Sequence, residues 1–405
     1  MRGLSVTDDL GSCIDPKSST TSSSFVWGRK RPIKSSKIPS MNVDQLRFSE
    51  LQLHGRDKEQ QILLELLREN YPVDDKSRQE NLEDSGAKQV ILVSGVSGVG
   101  KTRLILDTLI QPVEAEMRGV FAIGKYDLQK QTAQPYLGIV YACQEMVRKI
   151  LDDDNTSAKA SPETLDSIRM DLLNDLGQNG LNLLVRLLPL VSSFLGRNEE
   201  MKVEYSVEAE RILEELASNE GKMKEAEAKL HFAFRAFFRT FCKHLPLVVL
   251  ALDDVQWVDT ASIDLVSDLL ADGEVENLML VFVYRSDDHD STSLLTNLSD
   301  ELRDKESKKM LKLMKVDVGR LFVNDVNMII SDLLSMDTGT ATMDLAELCC
   351  RRTGGNVSFL LAFLRMLKDK GYLTYNFGIM KWTWNLVDME PQRDRVGDCC
   401  YYKCS

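Results

Sequence analysis

A glycine-rich segment, Gly95–Thr102, constrains the fold of this 405-residue chain more than any other feature. Its residues read Gly-Val-Ser-Gly-Val-Gly-Lys-Thr and match the pattern G-x-x-x-x-G-K-[ST] at every fixed position. The apolar run Val90–Val93 precedes it, and the helical pattern Arg103–Asp107 follows it. A loop between a strand and a helix gathers backbone N–H groups at a helix N-terminus, where they bind phosphate oxygens.

The side chains of this loop have distinct expected roles toward a nucleotide. Lys101 can reach the β- and γ-phosphates and assist catalysis, and the Thr102 hydroxyl can coordinate Mg²⁺. An ordinary glycine turn is the alternative, and the flanking strand and helix argue against it. ATP and Mg²⁺ are therefore the expected ligands, and the predicted binding residues are Gly95, Val96, Ser97, Gly98, Val99, Gly100, Lys101 and Thr102.

Two carboxylates, Asp253 and Asp254, follow the continuous apolar run Leu247–Leu252. Such a run is typical of a central parallel strand with both faces covered. Ligands bind open α/β sheets at the carboxyl ends of the strands, so both side chains should face the phosphate loop. Asp253 is predicted to hold Mg²⁺, directly or through water, and Asp254 to polarise the attacking water. Strands often end in solvated aspartates, so the aspartate pair alone is a weak signal. It indicates a nucleotide site only in combination with the glycine-rich loop.

Strands alternate with helices along most of the chain, which predicts an α/β fold with a parallel P-loop NTPase sheet flanked by helices. A C-terminal helical lid would follow, ending in a small winged helix or hairpin at Tyr372–Tyr375 and Lys381–Trp384. The predicted divisions are a disordered Ser/Thr-rich tail at 1–43, an NTPase domain at 44–315 with a helical insertion at about 135–241, a helical lid at 316–390, and an unstructured, cysteine-containing tail at 391–405.

The charge balance bears on the class of partner. With 62 acidic and 50 basic residues, the net charge is −12, so nucleic-acid binding would need a local basic patch. The basic cluster Arg29–Arg31 is either part of a solvated tail or a nuclear-import signal. The eight cysteines lack CxxC spacing and nearby histidines, which disfavours a zinc site and indicates reduced thiols. A cytoplasmic location is expected, and a nuclear one stays open.

The most apolar stretch, Leu181–Leu195, bears on membrane association. Arg186 and Pro189 interrupt it, and it is shorter than the roughly 20 apolar residues needed to span a bilayer. We expect it to form a buried helix. The N-terminus lacks the apolar segment of a secretory signal, so no membrane association is expected.

Three segments give the chain a resemblance to a known family. Leu53–Asp57, Asp253–Asp259 and Phe282–Arg285 resemble predicted ATPases of the AAA-16 type. That group is similar both to origin-recognition-complex-like ATPases and to the STAND class of signal-transduction ATPases. Gly124–Asp127 and Pro135-Tyr136 are similar to segments of the same group. The resemblance spans about residues 48 to 387.

The resemblance implies further site residues. Gly55 and Arg56 would lie near the adenine and ribose, and Arg285 would be a catalytic sensor that reaches the γ-phosphate. An arginine at the end of a strand beside Asp253 can approach the same crevice, although a surface salt bridge with Asp287 or Asp288 is the alternative. For Arg56 the alternative is a solvated residue at a helix start.

Two departures from the family pattern concern the lid and the end of the chain. Thr353–Phe359 resembles the lid segment T-x-G-N-P-F-F, but Val357 and Ser358 replace its proline and an aromatic residue. Proline would fix φ at the start of the next helix, so this lid is expected to hold adenine less tightly or to use another contact. The tail Asp398–Ser405 looks non-globular and is expected to reflect an abbreviated or mis-spliced product.

Several functions remain open at this stage. The leading hypothesis is a nucleotide-dependent switch that hydrolyses ATP slowly, with protein partners in a signalling complex. A non-catalytic scaffold would bind nucleotide and work through the helices of 135–241. An origin-recognition-like ATPase would need a basic surface, which the acidic balance disfavours. A small-molecule kinase would need an arginine-rich lid, and the sequence has none.

Overall fold

The apolar runs Val90–Val93 and Leu247–Leu252 found in the sequence belong to one sheet. A computed structural model of the chain describes residues 46, 48, 50–71, 88–128, 134–151, 160–195, 223–287, 300, 302–306, 311–336 and 339–386. The tails predicted at 1–43 and 391–405, including the basic cluster Arg29–Arg31, lie outside these residues. The elements below are numbered within the described part of the chain.

Five parallel strands form the central sheet in the spatial order β2-β3-β4-β1-β5. Their bounds are β1 Lys88–Ser94, β2 Val120–Lys125, β3 Val248–Asp253, β4 Leu278–Val283 and β5 Leu311–Asp317. Every residue of β1, β3 and β4 is buried, as expected for central parallel strands. The predicted α/β class with a parallel sheet is confirmed.

The register of the sheet brings four strand ends together. Strand β4 lies between β1 and β3 and pairs with both. Strand β2 lies beyond β3, with Lys125 in register with Asp253. Because all these strands are parallel, the glycine-rich loop, the segment after β4 and the aspartate pair leave the sheet at one edge.

Helices cover both faces of the sheet. Alternate residues of β1 point to opposite sides, so Ile91 and Val93 pack on one face and Val90 and Leu92 on the other. Helix α1 (Asp57–Asn70) and helix α2 (Lys101–Gln111) contribute to the first face, through leucines such as Leu63 and Leu104. Helix α7 (Thr260–Ala271) and the helices between β2 and β3 contribute to the second.

In the described part of the chain between β2 and β3 lie the helices α3 Leu137–Leu151, α4 Pro162–Leu187, α5 Leu190–Phe194 and α6 Met223–His244. The aromatic stripe of α6 is core at four positions, Phe234, Phe237, Phe238 and Phe241, each 0% exposed. The single buried helix predicted at Leu181–Leu195 is wrong, because the chain leaves α4 before Pro189 and starts a separate helix after it. Among the described helices, none is both long and apolar enough to cross a membrane.

The last described segment has a small core of its own. Helices α8 (Val323–Leu334), α9 (Met343–Thr353) and α10 (Val357–Asp369) pack together with an antiparallel hairpin. The hairpin consists of β6 Leu373–Asn376 and β7 Lys381–Trp384. It contributes Leu373 and Trp382 to that core, which also contains Ile330 and Leu364. We refer to residues 321–386 as the lid segment.

A buried lysine at the start of β1 closes the C-terminal end of helix α7. The Lys88 ammonium donates to the carbonyl oxygens of Leu269 and Leu270, each at 2.8 Å, and to that of Asp272 at 2.5 Å. The last carbonyls of a helix lack intrahelical partners, and a cation also suits the negative end of the helix dipole. Lys88 therefore fastens α7 to the sheet.

Replacing this lysine should destabilise the fold. Lys88→Met keeps the aliphatic stem but leaves three buried carbonyl groups without their donor, so we expect the free energy of unfolding to fall by about 1–3 kcal/mol. Chemical denaturation monitored by circular dichroism measures the change. Lys315→Met, at an exposed position of β5, is the matched control and should lie within about 0.5 kcal/mol of the parent. Equal stability of the two variants would contradict the capping role.

Candidate nucleotide-binding site

The glycine-rich loop forms an open, concave turn before helix α2. Gly98 and Gly100 have φ values of 79° and 95°, which side-chain-bearing L-residues rarely adopt. Within the described residues, no atom lies within 4 Å of the position that a Cβ of Gly100 would take. The loop therefore presents backbone N–H groups and open space at a helix N-terminus, the arrangement that suits a phosphate group.

Three predicted residues of the loop and of β3 meet at this turn. The Lys101 ammonium donates to the carbonyl oxygens of Gly95, at 2.8 Å, and Val96, at 3.0 Å. The Thr102 hydroxyl donates to Asp253 Oδ2 at 3.0 Å. A hydroxyl and a carboxylate side by side offer oxygen ligands of the kind that Mg²⁺ prefers. The donor set therefore fits a nucleotide with magnesium.

Burial sets the ionisation of this group. Burial lowers the pKa of Lys101, and the nearby charge of Asp253 opposes that shift. Burial raises the pKa of Asp253, and the adjacent negative charge of Asp254 raises it further. A cation placed beside these carboxylates would offset the cost of burying Asp253, and phosphate oxygens beside Lys101 would offset the cost of burying its ammonium.

Asp254 is held by three partners. Its backbone takes the left-handed conformation, with φ 55°, directly after strand β3. Lys125 Nζ lies 2.9 Å from Asp254 Oδ2, Gln256 Nε2 donates to Oδ1 at 2.8 Å, and Arg285 Nε lies 3.4 Å from Oδ1. Burial alone would raise the pKa of Asp254, but the hydrogen bonds from Lys125 and Gln256 outweigh it and lower that pKa.

Arg285 leaves strand β4 toward the aspartate pair. Its guanidinium lies over the Trp257 ring, 4.6 Å from the ring centroid, and its backbone N–H donates to Gln256 Oε1 at 3.1 Å. The ion pair described for Arg285 is with Asp254, so the alternative of a pair with Asp287 is wrong. Asp288, the other alternative partner, lies outside the described residues.

Asp287 approaches the phosphate loop instead. Its two carboxylate oxygens lie 3.3 and 3.4 Å from the backbone nitrogen of Ser97, which donates to them. The Asp287 carboxylate therefore contacts the phosphate loop at Ser97. The sequence reasoning did not assign this role to Asp287, although its position just after β4 places it at the same edge of the sheet.

Arg56 is buried and connects the phosphate loop to the segment just before the lid segment. It is 4% exposed, and its guanidinium donates to the carbonyl oxygens of Val99, at 3.0 Å, and Gly319, at 2.7 Å. The alternative of a solvated residue at a helix start is therefore wrong. Gly55 has φ 66°, and a Cβ there would lie 2.5 Å from the Asp325 side chain in α8. Both residues thus join the start of the fold to the phosphate loop and the lid segment, and their proximity to adenine and ribose stays a prediction.

Residues 82–281 match the AAA ATPase domain family AAA-16. The chain carries an AAA ATPase domain of this family. The match includes the phosphate loop, the aspartate pair and most of β4, in agreement with the resemblance found in the sequence. The lid segment lies beyond the matched residues.

One curated relative is the hybrid signal transduction histidine kinase G of Dictyostelium discoideum, 22% identical over 370 residues. The match covers 76% of this chain and 10% of the relative, so the chain spans about a tenth of that protein's length. Among solved structures, a Walker-type ATPase of Pyrococcus abyssi is 13% identical, with 80% of this chain and 69% of that one covered and a TM-score of 0.37. A bacterial conjugative coupling protein is 13% identical, with 54% and 65% covered and a TM-score of 0.17. Scores this low carry no argument.

Besides Asp287, two further side chains of the AAA ATPase domain site were not assigned a role from the sequence. Lys125 was quoted only as part of a family-like segment, and Gln256 only as part of the second motif. Lys125 could have been found, because parallel strands end at a common edge and it ends the strand beside Asp253. Gln256 gave no comparable signal, since its contact with Asp254 depends on the short turn Val255–Trp257.

Removing the loop cation should abolish most nucleotide binding. Lys101→Ala deletes a charged donor that can bond phosphate oxygens, so we expect the affinity for ATP to fall by about 10- to 100-fold. Titration with a fluorescent ATP analogue measures this loss. Lys315→Ala, at an exposed position on β5, is the charge-matched control and should bind as the parent does. Equal affinity in the Lys101→Ala variant, with its fold verified by circular dichroism, would refute the assignment of Lys101.

Proposed function

We propose that this AAA ATPase domain binds ATP with Mg²⁺, hydrolyses it slowly and acts as a nucleotide-dependent switch in signalling. The observation that carries the proposal is the contact of Thr102 with Asp253 at the mouth of the glycine-rich loop, beside Lys101. Lys101 would release the two loop carbonyls and bond phosphate oxygens. Thr102 and Asp253 would hold Mg²⁺, which neutralises phosphate charge when bound.

Asp254 is the proposed general base. Its carboxylate lies beside Asp253 and has a lowered pKa, so it is ionised and able to accept a proton at neutral pH. The same contacts explain why turnover would be slow. Lys125 occupies one carboxylate oxygen and Gln256 the other, so Asp254 must give up a hydrogen bond before it can orient water.

Arg285 is the proposed sensor of the γ-phosphate. Its stacking on Trp257 keeps the guanidinium beside Asp254. The planar fork of an arginine suits phosphate oxygens, and a shift of Arg285 toward phosphate would remove one positive partner from Asp254. The presence or absence of the γ-phosphate would thereby change the contacts of Asp254, the proposed base.

The proposed signalling role rests on one relative. The relative from Dictyostelium is named as a hybrid signal transduction histidine kinase, and this chain spans only about a tenth of its length. We propose protein partners in a signalling complex on that basis. A non-catalytic scaffold is the second candidate, favoured by the fact that Lys125, Gln256 and Arg285 all contact Asp254.

The two aspartates should be separable by mutation. Asp254→Asn should retain binding of ATP with Mg²⁺ and slow its turnover by about 10²-fold or more, because the amide cannot accept a proton. Asp253→Asn should instead weaken the dependence of binding on Mg²⁺, because the amide is a poorer metal ligand. Phosphate release and calorimetric titration measure the two effects. Turnover of Asp254→Asn at the parent rate would show that Asp254 is not the base, and absence of turnover in the parent would favour the scaffold.

The pH profile of turnover tests the contact with Lys125. Its hydrogen bond stabilises the charged form of Asp254, so Lys125→Met should raise the pKa of that carboxyl. The protonated, inactive form then persists to higher pH, and the acid limb of the kcat profile moves to higher pH. Steady-state turnover measured from pH 3 to 9 reports this shift, because the acid limb of the parent lies below the ordinary carboxyl pKa of 3.8, with Lys315→Met as control. An unmoved acid limb would show that Lys125 does not set the ionisation of Asp254.

A further inference from the structure

We propose that the lid segment orients the phosphate loop directly, through the Asn356 side chain and the backbone N–H of Ser358. Asn356 would be a positioning residue rather than a catalytic one, since it touches the loop and not the reacting atoms. The inference rests on the proposed nucleotide binding and adds the means by which the lid and the loop influence each other.

Two hydrogen bonds join the lid to consecutive carbonyl groups of the loop. Asn356 Nδ2 donates to the carbonyl oxygen of Ser97 at 2.7 Å, and the Ser358 N–H donates to that of Gly98 at 3.0 Å. Asn356 is 4% exposed, so its amide is held within the contact. A Cβ on Gly98 would lie 2.7 Å from Asn356 Oδ1, which shows how closely the lid approaches the loop backbone.

Because of peptide geometry, these two hydrogen bonds also fix the direction of two N–H groups on the opposite side of the loop. A trans peptide unit is planar, and its C=O and N–H point in opposite directions. Holding the Ser97 carbonyl toward the lid therefore directs the Gly98 N–H away from it. Holding the Gly98 carbonyl does the same for the Val99 N–H. These are N–H groups of the loop predicted to bind phosphate.

Without the lid contact, the loop would be free to lose this orientation. Gly98 lacks a Cβ and tolerates large changes of φ and ψ, so rotation of the peptide planes on either side of it meets little steric resistance. A docked lid would thus preorganise two phosphate donors, and a phosphate bound to them would favour the docked lid. Such coupling is reciprocal in free energy.

Asn356 also caps helix α10, and this structural role must be separated from the positioning role. Its Oδ1 accepts from the Phe359 N–H at 3.3 Å. Serine is a comparably good N-cap and is uncharged, but its hydroxyl is one bond closer to the backbone and lacks the amide donor. Asn356→Ser should therefore keep the cap and lose the bond to Ser97.

Asn327 in α8 provides the matched control. It too is a buried lid asparagine whose Nδ2 donates to a backbone carbonyl, that of Gly339, at 3.1 Å. That bond lies within the lid segment and does not involve the phosphate loop. Asn327→Ser therefore removes a similar bond without changing the contact with the loop.

The experiment compares the full-length parent, Asn356→Ser and Asn327→Ser by calorimetric titration with ADP and with pyrophosphate. Asn356→Ser should lose affinity for both ligands by the same factor, about 10-fold, because the lost preorganisation concerns phosphate donors and not base or sugar contacts. Asn327→Ser should stay within about 2-fold of the parent. Equal affinities in the two variants would overturn the proposal.

Amide exchange in the nucleotide-free chain gives a second readout. The Ser358 N–H lies in the first turn of α10, where N–H groups have no acceptor within the helix, so its protection reports the bond to Gly98. Exchange there should be faster in Asn356→Ser than in Asn327→Ser. Faster exchange in a chain whose parent binds neither ligand would uphold the lid contact and refute the proposed function, whereas unchanged exchange would overturn the lid contact itself.

Discussion

The parallel pairing of β2, β3, β4 and β1 is the constraint on which the site depends. It delivers Lys125, Asp253, Asp254 and Arg285 to the same edge as the phosphate loop, although up to 190 residues separate the groups that meet there. Parallel strands need long crossover connections, and the described residues between β2 and β3 form helices α3 to α6. Those helices pack on one face of the sheet, so the connection that separates β2 from β3 in the chain also contributes to the core of the domain.

The site concentrates charge in a largely buried place, and its contacts offset the cost. Asp253 and Asp254 are adjacent and only 3% and 8% exposed, a placement that is unfavourable without partners. Asp253 contacts the Thr102 hydroxyl, and Asp254 is paired with Lys125 and Arg285. The two carboxyls have opposite pKa shifts: burial raises the pKa of Asp253, whose distance to Lys125 Nζ is 3.9 Å, whereas the hydrogen bonds from Lys125 and Gln256 outweigh burial at Asp254 and lower its pKa. This difference suits two different roles, ligand and base.

The lid segment belongs to the same system. Arg56 joins the loop to Gly319, just before the lid, and Asn356 joins the lid to Ser97. Because Asn356 and the Ser358 N–H both bond loop carbonyls, we expect movement of the lid segment to change the orientation of the loop backbone. Hydrogen bonds thereby connect the charged site at the sheet edge to the lid segment. The proposed nucleotide-dependent switch requires such a connection.

The sequence was most informative where one local pattern decides both structure and chemistry. The glycine-rich loop and the apolar run before Asp253 predicted the fold class and most of the strands. Strand β5 was missed, because it lies at the edge of the sheet and its exposed Lys312 and Lys315 disrupt the apolar pattern. The contacts of Asp287 and Asn356 were missed for another reason. They join segments distant in the chain, so only the register of the sheet and the docking of the lid bring the partners together.

The central claim is that this edge of the sheet binds a nucleoside triphosphate with a divalent cation. Isothermal titration of the full chain with ATP, once with Mg²⁺ and once with a chelator, tests it most directly. The account predicts saturable binding at one site per chain, tighter with Mg²⁺ because Thr102 and Asp253 face the phosphates together. No binding under either condition, by a chain that is folded, would contradict it.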